Sequence, residues 1–84
     1  MSVIMYTTRF CPFCVRAKQL FDGKKIAYKE IAVDNDPSLR QEMMRKSGQR
    51  TVPQIWINDK HIGGCDELYT LQRSGQLESF LKVS

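Results

Sequence analysis

The chain has 84 residues, 42% of them hydrophobic and 26% charged, which suffices for one domain with a small core and excludes wholesale disorder. Its three cysteines are an odd number, so a complete set of internal disulfides is ruled out, and with it a secreted scaffold stapled by several bridges. The net charge of +4 is dispersed over groups no denser than Lys24-Lys25 and Arg45-Lys46, with acidic residues interleaved, a pattern that suits small acidic ligands and argues against nucleic acid.

Val3-Ile4-Met5-Tyr6 reads as a short buried strand. Polar Thr7 and Thr8 follow at once, so the stretch is too short for a signal-peptide core, and no cationic segment precedes it. No run approaches the roughly 20 apolar residues of a membrane helix. The expectation is a cytoplasmic chain without membrane contact, in a compartment that keeps thiols reduced. After a loop to Phe10, Cys11-Pro12 starts a helix, because proline is favoured at the first helical position. That helix is expected from Pro12 to about Phe21, with Cys14, Ala17 and Phe21 on one buried face and Asp22-Gly23 ending it.

Ala27–Val33 is the second strand candidate, bounded by the loop Asp34-Asn35-Asp36. Asp36 caps a second helix whose first residue is Pro37. Leu39 and Met43 mark its buried face, and Gly48 follows its end. Gln54–Ile57 is a third strand, Asn58-Asp59-Lys60 a turn, and His61-Ile62 a returning strand, which together make a hairpin. Gly63-Gly64 breaks it. A third helix runs from Asp66 to about Ser74 with Leu68 and Leu71 inside, and Leu77, Phe80 and Leu81 mark a last helix. The order β-α-β-α-β-β-α-α is an α/β pattern: a parallel βαβ unit followed by an antiparallel hairpin.

Cys11-Pro12-Phe13-Cys14 carries the chemistry. A CxxC that follows a strand and opens a helix inside a βαβ unit reads as a dithiol redox site. The physical reason is the helix N-terminus, whose free N–H groups and positive dipole end favour an anion, and a thiolate is an anion. Cys11 sits at that end, at the mouth of a loop. Cys14 lies one turn further in and faces the core. Residues three apart on a helix have Cβ atoms about 5–6 Å apart, slightly more than a disulfide prefers, so a Cys11–Cys14 bond would be reversible. The competing reading is a zinc site completed by His61 and Cys65. Their placement on a strand and in a loop would aim them apart, and His61 is more simply a surface residue of an edge strand.

Three blocks in this order, CPFC at Cys11–Cys14, TVPQIWI at Thr51–Ile57 and GGCDEL at Gly63–Leu68, give a chain that resembles the glutaredoxin family over nearly its whole length. CPFC alone would leave thioredoxins and related redoxins in play. GGCDEL discriminates, because it looks like the family's glutathione-binding loop. The resemblance implies a single domain over residues 1–84 with the thioredoxin fold, a four-stranded mixed sheet flanked by helices, and a cis peptide bond before Pro53. It implies catalytic Cys11 and Cys14 beside Pro12, glutathione as co-substrate and no metal.

The residues it implies for glutathione are Arg9, Phe13, Arg40, Thr51, Val52, Pro53, Gly64, Cys65 and Asp66. Asp66 would pair with the tripeptide's amine, and the N–H groups around Cys65 and Asp66 with the neighbouring carboxylate. Arg40 would take the other carboxylate. Val52 would offer its backbone to an extended substrate as an added strand. Many family members carry lysine three residues before the first cysteine, where this chain has Thr8 followed by Arg9, and many have tyrosine in place of Phe13.

The implied partners are glutathionylated and disulfide-containing proteins, ribonucleotide reductase being one candidate, met by a monomer. Two alternatives keep the fold. One is a thioredoxin-like redoxin reduced by a flavoenzyme, against which GGCDEL argues. The other is a module binding an iron–sulfur cluster with glutathione as co-ligand, against which the complete CxxC and Pro12 argue.

Overall fold

The structure is a computed structural model and describes residues 2–81. Of the domain expected over 1–84, residue 1 and residues 82–84 lie outside the described residues. The elements are β1 (Val3–Thr7), α1 (Pro12–Gly23), β2 (Lys29–Ala32), α2 (Pro37–Ser47), β3 (Gln54–Ile57), β4 (Lys60–Gly63), α3 (Cys65–Ser74) and α4 (Leu77–Leu81). The sheet order is β2-β1-β3-β4, with β1 parallel to β2 and antiparallel to β3, and β3 antiparallel to β4.

The order and type of elements match the sequence expectation, and the differences lie at the ends. The second strand is shorter than Ala27–Val33, because its ladder with β1 runs only from Lys29 to Ala32. Lys25 has φ 59, so the chain is still turning out of α1 there. The hairpin turn is Asn58-Asp59, two residues rather than three. Both have positive φ, 51 and 67, the requirement of the tight turns that match strand twist. Lys60 is thereby free to pair with Ile57. The third helix starts at Cys65, one residue earlier than expected, because Gly64 serves as its cap residue and its N–H donates to Glu67 Oε1 at 2.7 Å.

Both faces of the sheet are covered. Val3 and Met5 of β1 and Ile55 and Ile57 of β3 pack with Ala17, Phe21, Leu68, Leu77 and Leu81. On the opposite face Tyr6 packs with Val33 and Met43, and with Ile4, Leu39 and Trp56 around them. A central strand buried on both sides is read as a continuous apolar run, which is why Val3–Tyr6 shows no alternation. Phe21 and Met43 are fully buried, and each removes roughly 1.5–3 kcal/mol worth of apolar surface from water.

Asp36 caps α2 as expected, its Oδ1 accepting from the Leu39 N–H at 3.1 Å, and Gly48 closes it with φ 71. Among the described residues no helix is long and apolar enough to cross a membrane.

Candidate active site

α1 begins where β1 and its short loop deliver the chain to the top of the sheet. Cys11 is the cap residue, in extended conformation (φ −134, ψ 104), with Pro12 next. Its Sγ accepts from the Cys14 N–H at 3.1 Å. The sulfur therefore takes one of the helix's free N–H groups, the role a serine or aspartate oxygen fills at other caps. No acidic side chain stands in the first turn of α1 to oppose a negative sulfur.

Cys14 is buried, and its thiol is pushed up to about 12, chiefly by burial and then by its hydrogen bond with Cys11. Cys14 is consequently a protonated thiol near neutral pH, while Cys11 occupies the anion-favouring position. All three cysteines are free.

Across from Cys11 lies the loop that leads into β3. The Val52–Pro53 bond is cis, as the family resemblance implied, and the Cys11 Sγ lies 3.7 Å from the Val52 carbonyl oxygen. Beside that loop runs the segment from β4 into α3. Gly64 approaches it so closely that a Cβ there would stand 3.2 Å from the Pro53 carbonyl oxygen.

Between the two segments is a cleft of about 530 Å³, whose lining includes Phe13, Thr51, Val52, Pro53, Gly64, Cys65 and Asp66. Seven of the nine residues implied for glutathione thus meet in one place, adjoining Cys11. Phe13 is half exposed, an apolar wall at the mouth. Cys65 is buried, and burial raises its thiol.

Arg9 and Arg40 stand outside that lining. Arg9 is turned to the loop after β2, where its Nε meets Asp34 Oδ2 at 3.0 Å and holds that carboxyl below its usual range. Arg40 donates from Nη2 to the Arg50 carbonyl at 3.3 Å, so it braces the loop behind Thr51. The cleft is also lined by Gln49, Gln54, His61 and Glu67, none of them among the residues the resemblance implies for glutathione. For Gln54 and Glu67 a signal existed: one lies inside TVPQIWI, and the other stands three residues after the cap glycine.

Among the described residues no three His, Cys, Asp or Glu side chains come together in a group that could hold a metal ion. Cys11, Cys14, His61 and Cys65 do not converge. His61 lies on edge strand β4, exposed, with its ring 4.7 Å from that of Trp56.

A helix-capping cysteine with a buried partner one turn on, facing the loop before an antiparallel strand, defines a thioredoxin-fold dithiol protein. The family model for glutaredoxin matches residues 3–62. A glutaredoxin of Pseudomonas aeruginosa is 53% identical over 81 residues, covering 96% of each chain. The solution structure of a glutaredoxin from Brucella melitensis superposes with a TM-score of 0.87 at 48% identity, over 98% of this chain and 89% of that one. The crystal structure of a buckwheat glutaredoxin–glutathione complex gives a TM-score of 0.87 at 34% identity, over 94% of this chain and 74% of that one. The chain belongs to the glutaredoxin family, a family of thiol–disulfide oxidoreductases.

Proposed function

We propose that this chain is a glutathione-dependent oxidoreductase that reduces protein–glutathione mixed disulfides and protein disulfides through Cys11 and Cys14. The observation that carries this reading is the position of the Cys11 sulfur. It takes the Cys14 N–H at 3.1 Å and lies 3.7 Å from the Val52 carbonyl, beside a cleft bounded by Thr51–Pro53 and Gly64–Asp66.

The Cys11 thiolate attacks the glutathione sulfur of a protein–glutathione mixed disulfide. That S–S bond breaks, a Cys11–glutathione disulfide forms, and the protein leaves as a thiolate that takes a proton from water. A second glutathione, as thiolate, attacks the bound glutathione sulfur; oxidised glutathione departs and Cys11 is again a thiolate. The exchange balances: one mixed disulfide and one glutathione thiol enter, and one protein thiol and one glutathione disulfide leave.

With a protein disulfide as substrate, Cys11 first forms a mixed disulfide with the protein. Cys14 then loses its proton and attacks the Cys11 sulfur, which releases the second protein thiol and leaves a Cys11–Cys14 disulfide for two glutathiones to reduce. The cost of deprotonating a thiol pushed up to about 12 falls only on this second route. Proximity offsets part of it, since Cys14 is already one helical turn away.

The cleft suits the tripeptide. The first N–H groups of α3 face a carboxylate, Asp66 offers a counter-charge to the amine, and the Thr51–Pro53 backbone runs beside the sulfur to which the cysteinyl unit must pair. The buckwheat relative was crystallised with glutathione. Arg40, which also holds the loop at Arg50, takes the second carboxylate. The protein acts as a single-domain monomer in a reducing cytoplasm, the compartment in which a dithiol is kept ready to react.

The test is reduction of a small glutathione mixed disulfide, coupled through glutathione and glutathione reductase to NADPH. Sustained turnover is expected. Turnover only when a thioredoxin-reductase-type flavoenzyme replaces glutathione would overturn the reading.

A further inference from the structure

His61 and Gln54 form a connected pair at the cleft that the chemistry above does not use. Gln54 is 2% exposed and its backbone is fixed in the sheet opposite Tyr6. Its amide nitrogen lies 3.0 Å from the Thr51 carbonyl oxygen and 3.3 Å from Thr51 Oγ1. A carbonyl oxygen only accepts, so the NH₂ end of Gln54 must face Thr51. Its Oε1 therefore faces His61 Nε2, at 2.8 Å, and Nε2 must be the donor. The His61 ring is in turn fixed against Trp56, and Trp56 edge-on against Tyr6 at 5.3 Å between ring centroids.

We propose that His61 is a positioning residue for substrate binding. Its Nε2–H fixes the Gln54 amide, which clamps Thr51 and so holds the Thr51–Val52–Pro53 backbone in place beside Cys11. The inference rests on the reading that this backbone receives the cysteinyl unit of glutathione, and extends it to a cleft-lining residue that acts through Gln54 and does not reach the Cys11 sulfur. A hydrogen bond lost at one buried end leaves Gln54 Oε1 unpaired and frees the amide to rotate. The loop then samples positions in which Val52 no longer faces the sulfur. The effect falls on binding, since Cys11 and α1 are untouched.

His61→Leu keeps apolar bulk on Trp56 and removes the donor, while His61→Gln restores a donor. In the glutathione-coupled assay, His61→Leu is expected to raise KM for the mixed disulfide by roughly five- to twentyfold, with kcat changed less than about twofold. His61→Gln recovers most of the loss. Gln54→Leu reproduces the Leu phenotype, and adding His61→Leu to it changes nothing further. A KM unchanged in His61→Leu, equal losses in the Leu and Gln variants, or additive losses in the double variant would each overturn the proposal.

A second readout does not depend on the substrate. The backbone amide signals of Thr51 and Val52 should shift or broaden in His61→Leu and return in His61→Gln, and unmoved signals would overturn the proposal as well. A wild type inactive with glutathione but showing that NMR response would sink the glutathione reading and leave the His61–Gln54–Thr51 clamp standing.

Discussion

Gly64 and Pro53 approach so closely that a methyl group on Gly64 would stand 3.2 Å from the Pro53 carbonyl oxygen and 3.4 Å from Glu67 Oε1. The two segments that bound the cleft are thus packed backbone to backbone, and the absence of a side chain at 64 sets their separation. Gly64→Ala must push the Pro53 loop or Glu67 away by a few tenths of an ångström. The expected result is a roughly fivefold higher KM for the glutathione mixed disulfide, equivalent to about 1 kcal/mol of overpacking, with Cys11 alkylation unchanged. A KM equal to that of the wild type would show that the spacing of these segments does not matter for binding.

Gly63 is held by a different constraint. Its φ is +118, and a Cβ there would lie 2.7 Å from Glu67 Oε1. Gly63→Ala therefore combines backbone strain with a clash against the group that accepts from the Gly64 N–H, for about 1–3 kcal/mol of lost stability. Thermal unfolding should show a Tm lower by about 4–8 °C per kcal/mol for a domain of this size.

Cys11→Ser is expected to abolish both reactions of the proposed cycle. Cys14→Ser should retain reduction of the glutathione mixed disulfide and lose most reduction of protein disulfides, because only the second route needs Cys14. Parallel assays of the two substrates check this, and a Cys14→Ser protein equally impaired in both would contradict the division of labour.

The state of Cys14 is open to direct measurement. Burial and the hydrogen bond with Cys11 push its thiol up to about 12, so at pH 7.5 it is protonated and screened from reagent. Brief iodoacetamide treatment followed by peptide mapping should place the label on Cys11 and leave Cys14 largely unmodified. Equal labelling of both would mean that Cys14 is not held in its thiol form.

Glu30 links the fold to pH. It accepts from Thr7 Oγ1 at 2.6 Å and from Lys18 Nζ at 2.9 Å, and these bonds, Thr7's foremost, hold its carboxyl below the usual range. A carboxyl depressed by folding contributes stability above its unfolded value, and that stability is lost as pH falls through the folded value. Glu30→Gln should therefore lower Tm at pH 7, and the gap should close below about pH 4. The gap is modest because the Glu30 side chain is 37% exposed and water screens the pair. A gap as wide at pH 3 as at pH 7 would show that the carboxylate is not its source.

Much of the site lay in the sequence because its chemistry is local. CPFC fixes which sulfur caps the helix and which turns inward, since one turn of helix separates the two positions. Asp36-Pro37 and Gly48 likewise set the ends of α2 by cap chemistry alone. Strand ends were less legible: Ala27 and Tyr28 have strand-like composition, but β2 begins only where β1 offers a partner.

The placement of Arg9 depended on tertiary structure. The family resemblance implies a glutathione contact for it; the loop after β2 brings Asp34 to 3.0 Å of its Nε, an ion pair between residues 25 apart in the chain that no local stretch contains. The pairing of Gln54 with His61 has the same origin. Seven residues apart in the chain, each is unremarkable alone, and only the β3–β4 hairpin closes the hydrogen bond between them.

The three cysteines that first excluded a disulfide scaffold mark the division. That Cys11 and Cys14 form a pair at a helix start follows from their spacing, because helical geometry is set by neighbours in sequence. That Cys65 comes to lie in the cleft beside the Thr51–Pro53 loop, and that Cys14 is buried deeply enough to stay protonated, was decided by the packing of α1 and α3 against the sheet. Burial and approach between distant segments are sums over the whole fold, and no local stretch of sequence contains them.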